Sequence, residues 1–278
     1  MPGRLSQRHD VKVLLRRCGL DTVCEQARCP NMAECFHSGT ATFLILGEKC
    51  TRNCGFCAID HSASPVPPDP DEPARIAGAA AKLGLRHVVI TSVTRDDLAD
   101  GGAGQFAACI DAVRHKLPGA SVEVLVPDFA GSAAAADLVL AARPDVFNHN
   151  LETVPRLYAE VRPGAEFERS VKLLQRAAAS GGSVIKTGLM VGLGESPAEV
   201  EQVIAMAAGA GCHVVTVGQY LPPRRHALAM HRLVGDDEYE NYEKLGKKLG
   251  IEVVAGRLVR SSYKAESMAK VRKKQAER

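Results

Sequence analysis

The chain has 278 residues, enough for one large domain whose core needs no staples. Thirty-five Lys and Arg against 32 Asp and Glu leave a formal charge of +3, which removes nucleic acid as the default partner. Hydrophobic residues are 46% of the chain and no apolar run approaches the ~20 residues of a membrane span, so a soluble protein without a membrane partner is expected.

Nine cysteines and no tryptophan stand out from this ordinary background. The N-terminus MPGRLSQRHD lacks the apolar stretch of a secretory signal or a clear transit peptide, and the cysteine count is odd. A disulfide framework is therefore not expected, and a cytoplasmic location is. Cys18, Cys24, Cys29, Cys35, Cys50, Cys54 and Cys57 crowd the N-terminal region, while Cys109 and Cys212 stand alone. Clustered cysteines in a reducing compartment point to bound metal.

From there on the sequence alternates short β-branched runs with Ala-rich stretches whose apolar residues recur every three or four positions. Strands are predicted at Ala41–Leu46, His87–Val93, Ser121–Val126, Asp145–Leu151, Ser183–Val191, His213–Leu221 and Ile251–Val254. Helices are predicted at Asp71–Leu83, Gly104–Leu117, Ser132–Ala142, Glu168–Ser180, Pro197–Ala210 and Asp236–Leu249. Five prolines between Pro65 and Pro73 form the one obvious linker. Repeated β-α units of this length predict an α/β fold with a parallel sheet, curled into a closed or partial barrel. The short basic tail, Lys270 to Arg278, reads as a solvated terminus.

In such barrels, ligands are held by the loops at the C-terminal ends of the strands. The first strand runs into Cys50-Thr51-Arg52-Asn53-Cys54-Gly55-Phe56-Cys57, a C-x3-C-x2-C loop. Three thiolates in one tight loop suit an iron-sulfur cluster with one iron left open to a small molecule. Zinc is the rival reading, but structural zinc wants two close pairs or added histidines, and only His61 is near. A second set, Cys24-x4-Cys29-x5-Cys35, is again one thiolate short, so two clusters are expected. Cys18, Cys109 and Cys212 read as packing residues, and His87, His149 and His213 as satisfied core histidines.

The C-x3-C-x2-C loop resembles the signature of radical S-adenosylmethionine enzymes. The resemblance implies a partial (β/α)6 TIM-like barrel, with the open iron chelating the cofactor. The stretches ARCPNMAEC from Ala27 and GTATF from Gly39, together with RSSY from Arg260, are similar to the lipoyl synthase family. So are VVITSVTRDDLADGGA, NHNLETVPRLY, VRPGA, GLMVGLGE and VGQYLPP, and the likeness runs over about residues 20–266. Phe36, Thr187 and Ala255-Gly256-Arg257 depart from the family pattern, and none of them is a candidate ligand.

This resemblance implies insertion of two sulfur atoms at C6 and C8 of an octanoyl chain amide-linked to a carrier lysine. Those carbons are saturated, and no general base removes such protons, which makes hydrogen-atom abstraction the physically reasonable route. Cys50, Cys54 and Cys57 would hold the 4Fe-4S cluster that cleaves S-adenosyl-L-methionine, and Cys24, Cys29 and Cys35 a sulfur-donating auxiliary 4Fe-4S cluster. A serine of the RSSY tetrad, Ser262 in preference to Ser261, would complete the auxiliary cluster; its oxygen is a harder, more easily released ligand than a thiolate. Cofactor contacts are expected from Thr91, Ser92, Arg95, Asn150, Glu152, Arg162, Met190, Gly192, Gln219, Tyr220 and Leu221. The implied partners are an octanoylated lipoyl carrier, a ferredoxin- or flavodoxin-type reductant and an iron-sulfur carrier that repairs the cluster. The carrier would be the E2 lipoyl domain of a 2-oxoacid dehydrogenase or the glycine cleavage H protein. Three regions are expected: an N-terminal extension at 1–40, the barrel at 41–235, and a C-terminal helix and tail at 236–278.

Overall fold

A computed structural model describes residues 11–22, 31, 34–35, 40–62, 64–224 and 227–262. Cys24, Cys29 and the tail 270–278 lie outside the described residues.

Seven parallel strands form the body of the sheet: β2 (Thr40–Ile45), β5 (His87–Ser92), β6 (Ser121–Leu125), β7 (Val146–Asn148), β8 (Val184–Val191), β9 (Val214–Gln219) and β10 (Glu252–Gly256). A two-residue strand β1 (Asp21–Thr22) adds antiparallel to β2, and the sheet order is β1-β2-β5-β6-β7-β8-β9-β10. The order has two ends among the described residues, as an incomplete barrel requires. Helices α1 (Glu72–Lys82), α2 (Ala103–Lys116), α3 (Ala133–Ala141), α4 (Phe167–Ser180) and α5 (Pro197–Gly209) lie in the connections between successive parallel strands from β2 to β9. Helix α6 (Asp236–Leu249) leads into β10. The expected partial α/β barrel is what the chain forms. Among the described residues no helix is long and apolar enough to cross a membrane.

The alternation that predicts the strands also sorts their two faces. Val122, Val124, Phe147 and Ile185 belong to the main apolar cluster shared with helix residues such as Ile76, Phe106 and Leu174. The opposite face, toward the barrel interior, is polar: Glu123 accepts from Lys186 Nζ at 3.0 Å and contacts His87 Nε2 at 3.3 Å, all three being fully buried. The helices begin and end on ordinary signals. Ser196 and Glu199 form a reciprocal capping box at the start of α5, with Pro197 in its first turn. Asp236, Asp237 and Glu238 open α6 and Lys247 and Lys248 close it, the arrangement that complements its dipole.

Two differences from the sequence reading bear on the site. β7 stops at Asn148, short of the predicted Leu151, because the chain leaves the ladder to turn Asn150 and Glu152 over the barrel mouth. Glu152 takes φ 66, a left-handed conformation uncommon outside glycine, and rejoins the sheet only through a single bridge to Leu189. The second difference is a parallel pair, β3 (Lys49–Cys50) with β4 (Asp60–His61), which closes the base of the cysteine loop.

Candidate functional site

The cysteine loop projects from β2 at the C-terminal face of the barrel and is pinned at several points. Thr94 N–H donates to Cys50 Sγ at 3.3 Å and Thr51 N–H to the Thr94 carbonyl at 3.0 Å. Gly55 N–H donates to the Val161 carbonyl at 3.1 Å, and Leu228 N–H to the Gly55 carbonyl at 3.0 Å. Arg52, buried, donates to Asp96 at 2.7 and 2.8 Å and to Asp128 at 2.6 Å, tying the loop to the exits of β5 and β6. Although burial opposes its charge, the Arg52 hydrogen bond holds Asp128 at about 2. Cys50, Cys54 and Cys57 are all half-buried free thiols.

Burial pushes Cys54 up to about 12, against the pull of the Arg162 charge, and it pushes Cys57 up as well. Cys54 and Cys57 are therefore neutral at pH 7, and loading iron releases their protons. Among the described residues no three His, Cys, Asp or Glu side chains converge on the point one metal ion would occupy. Thiolates on separate corners of a 4Fe-4S cubane stand around a larger group and have no such convergence to make.

Facing the loop are Asn150, Glu152 and Arg162. Arg162 Nη1 donates to the Asn150 carbonyl at 2.9 Å and to Tyr158 Oη at 3.0 Å, and its guanidinium lies 5.4 Å from the Tyr158 ring centre. Asn150 Nδ2 donates to Glu152 Oε1 at 3.0 Å and to Ser261 Oγ at 2.7 Å. Burial raises the Glu152 carboxyl and the Arg162 charge opposes that rise. Asn150 Oδ1, Arg162 Nε and Ser92 Oγ are buried with no hydrogen-bond partner. Buried polar groups left so are costly. Three thiols beside these unsatisfied donors and acceptors fit an iron-sulfur cluster carrying a polar, zwitterionic small molecule.

The other expected contacts serve the frame around this centre. Thr91 Oγ1 donates to the Leu125 carbonyl at 2.9 Å within the sheet. Arg95 is fully buried, gripping Asp97 at 2.8 and 2.7 Å and the Leu46 carbonyl at 3.1 Å. Gln219 Nε2 bonds the Val191 and Arg232 carbonyls at 3.1 and 3.0 Å while its Oε1 accepts from Val234 N–H at 2.9 Å. Tyr220 Oη donates to the Leu228 carbonyl at 2.9 Å. Gly192, at φ 97, brings its backbone so close to Gln219 that a Cβ there would overlap that side chain. Met190 is half-buried and Leu221 exposed at the same mouth.

The N- and C-terminal segments meet beside this face. Asn31, between Cys29 and Cys35 in sequence, donates from Nδ2 to the Leu258 carbonyl at 2.6 Å, four residues before Ser262. Cys35 and Ser262 are both half-buried. Cys109 and Cys212 are buried in the core and Cys18 packs against it. His149, His87 and His213 are all hydrogen-bonded, at 2.8, 2.6 and 2.9 Å respectively, to Val126, Ser121 and Ile185.

Sequence reasoning passed over Arg52 with Asp96 and Asp128, and over Glu123 with Lys186. The signal for the first was present: an arginine inside the cysteine loop needs carboxylates, and the loops after β5 and β6 supply Asp96 and Asp128. For the second, a charged residue amid each of two β-branched runs marks a polar interior.

A profile of the Radical SAM superfamily matches residues 44–207. Lipoyl synthase of Nitratidesulfovibrio vulgaris (strain DP4) is 56% identical over 259 residues, covering 93% of this chain and 86% of that protein. Lipoyl synthase of Methylococcus capsulatus is 53% identical over 264 residues, covering 94% and 82%. Among solved structures, the hydrogenase maturase HydG from Carboxydothermus hydrogenoformans superimposes with a TM-score of 0.64 at 16% identity, covering 84% of this chain and 56% of that one. Streptococcus suis SuiB bound to S-adenosylmethionine gives 0.60 at 12% identity, covering 81% and 53%. At such low identities the structural likeness speaks for the fold alone.

Proposed function

This chain belongs to the lipoyl synthase family of the Radical SAM superfamily, a family of sulfurtransferases, and from that premise we propose how its residues divide the work of inserting two sulfur atoms into a protein-bound octanoyl-lysine. Cys50, Cys54 and Cys57 hold one 4Fe-4S cluster, and Cys24, Cys29, Cys35 and Ser262 hold the auxiliary one. When bound, the first cluster and S-adenosyl-L-methionine supply a 5'-deoxyadenosyl radical able to take hydrogen from an unactivated C–H bond, and the auxiliary cluster supplies sulfur.

The residues of the chain bind, orient and exclude water. Asn150 Oδ1 and Arg162 Nε offer an acceptor and a donor with no partner in the protein, suited to the amino and carboxylate groups of the cofactor. Ser92 Oγ is a third free polar group. Thr91, Arg95, Gln219 and Tyr220 hold the strand exits in register around the cofactor subsite. Met190, Gly192 and Leu221 line the mouth where the adenosyl part would lie. The barrel at 41–235 thus carries radical generation, while the extensions at 1–40 and 236–278 carry the sulfur donor.

The observation that carries the two-cluster reading is the Asn31 to Leu258 hydrogen bond at 2.6 Å, which ties the second cysteine segment to the chain two residues before the serine tetrad. The partners follow from the chemistry: an octanoylated lipoyl carrier, a low-potential ferredoxin or flavodoxin, and an iron-sulfur carrier to restore the consumed cluster, all in the cytoplasm. The test is mass spectrometry of an octanoyl-lysine peptide after incubation with reconstituted protein, S-adenosylmethionine and a strong reductant. Gain of two sulfurs is the expected result, with two hydrogens fewer once the dithiol is closed to the cyclic disulfide; unchanged peptide from protein carrying about eight irons would refute it.

A further inference from the structure

Of the two adjacent serines in the tetrad, Ser262 has a role in the reading above and Ser261 has none. The geometry points to Ser261 as a positioning residue: its hydroxyl fixes Asn150, so that the cofactor subsite is complete only when the segment carrying Ser262 is seated on the barrel. This inference rests on the assignment of Asn150 to the cofactor and of Ser262 to the auxiliary cluster.

Asn150 has two amide hydrogens and both are engaged, one with Glu152 Oε1 at 3.0 Å and one with Ser261 Oγ at 2.7 Å, across 111 residues of sequence in the second case. That pairing decides which way the amide faces and leaves Oδ1 as its one unsatisfied, buried atom. Gly188 on β8 makes the junction possible. A Cβ there would stand 2.8 Å from Asn150 Oδ1, 2.9 Å from Thr216 Oγ1 and 3.0 Å from Ser261 Oγ, closer than side chains normally approach.

The segment leading to Ser261 is held on both sides. Its Val259 carbonyl lies against Gly218 so closely that a Cβ at 218 would overlap it, and its Leu258 carbonyl accepts from Asn31 of the N-terminal extension. Adjacent Cα atoms are about 3.8 Å apart, so a backbone shift that draws Ser262 from its place also pulls Ser261 from Asn150. Release of the serine ligand by such a shift during sulfur donation would therefore loosen the amide that orients the cofactor. Cofactor binding and the state of the sulfur donor are linked through this one hydrogen bond.

Ser261→Ala, Ser261→Thr and Ser262→Ala separate the possibilities. S261A is expected to retain the full iron and sulfide content of about two 4Fe-4S clusters. It should bind S-adenosylmethionine about 2- to 10-fold more weakly, the size of one net hydrogen bond, and release more 5'-deoxyadenosine per lipoyl group formed. In cluster-free protein its amides at 150–152 and 257–262 should exchange faster than in the wild type. S261T, which keeps the hydroxyl, should restore affinity and coupling, whereas S262A, whose auxiliary cluster keeps three thiolates, should lose no more than about one iron per chain. Unchanged affinity, exchange and product ratio in S261A would overturn the proposal, and so would loss of iron from S261A but not from S262A, which would make Ser261 the ligand. Should fully loaded wild-type protein form no lipoyl product, the function reading fails on its own, while the affinity and exchange measurements still judge Ser261.

Discussion

His149 is 1% exposed at the exit of β7, and its two ring nitrogens determine its protonation. The Val126 carbonyl, 2.8 Å from Nδ1, can only accept, so Nδ1 carries the proton; Nε2 at 2.9 Å then accepts from the Ser170 hydroxyl. Burial, reinforced by the Arg162 charge, lowers its pKa from 6.5 to about 4. Below pH 6.5 the unfolded chain takes up a proton that the folded chain refuses, so stability is intact above that value and falls as the pH drops toward 4. At pH 5 the loss relative to pH 7 is about 2 kcal/mol. Urea unfolding of cluster-free protein at both pH values checks this: the stability gap between wild type and H149Q should narrow by about that amount at pH 5, and a gap that does not change with pH would mean His149 titrates normally.

At the scale of elements, helices and strands were readable because each has a period and a punctuation mark. α6 runs over the predicted Asp236–Leu249, and α5 begins at Pro197 behind the Ser196 cap as its sequence indicates. The cysteine loop has neither, so β3, β4 and the Arg52 clamp were not legible: two-residue strands leave no alternation, and the carboxylates that fix Arg52 arrive from loops 44 and 76 residues away. That clamp makes a prediction. Removing Arg52 leaves buried Asp128 with the Ala130 N–H at 3.1 Å and the longer Arg169 contact at 3.3 Å, and a buried carboxylate stripped of its main charge partner is costly. R52M should destabilise the cluster-free protein by about 3 kcal/mol, and the R52M/D128N double variant should recover at least half of that. Chemical denaturation measures both, and a cost below about 0.5 kcal/mol would mean the loop is held by its backbone bonds alone.

For the whole molecule, the sequence alternation identifies a barrel and its C-terminal face, and so predicts which loops share a rim. It cannot show that Asn150, committed by its place after β7, reaches Ser261, or that Asn31 reaches Leu258, because contacts between distant loops leave no periodic trace. Those contacts separate the two cysteine sets physically. The 50–57 loop is held by Thr94, Asp96, Asp128 and Val161, all on the barrel, and by Leu228 on the strap after β9, whereas the described part of the N-terminal segment is tied to Leu258. Loss of one set should therefore leave the other assembled. C24A/C29A/C35A is expected to retain about half the iron and to cleave S-adenosylmethionine reductively, yet to form no lipoyl product. C50A/C54A/C57A should keep a similar amount of iron and lose both reactions, since no radical is generated. Iron and sulfide analysis with quantification of 5'-deoxyadenosine and lipoyl-peptide decides it: lipoyl product from the first variant would remove the N-terminal set from sulfur donation, and cofactor cleavage by the second would remove the barrel loop from radical generation.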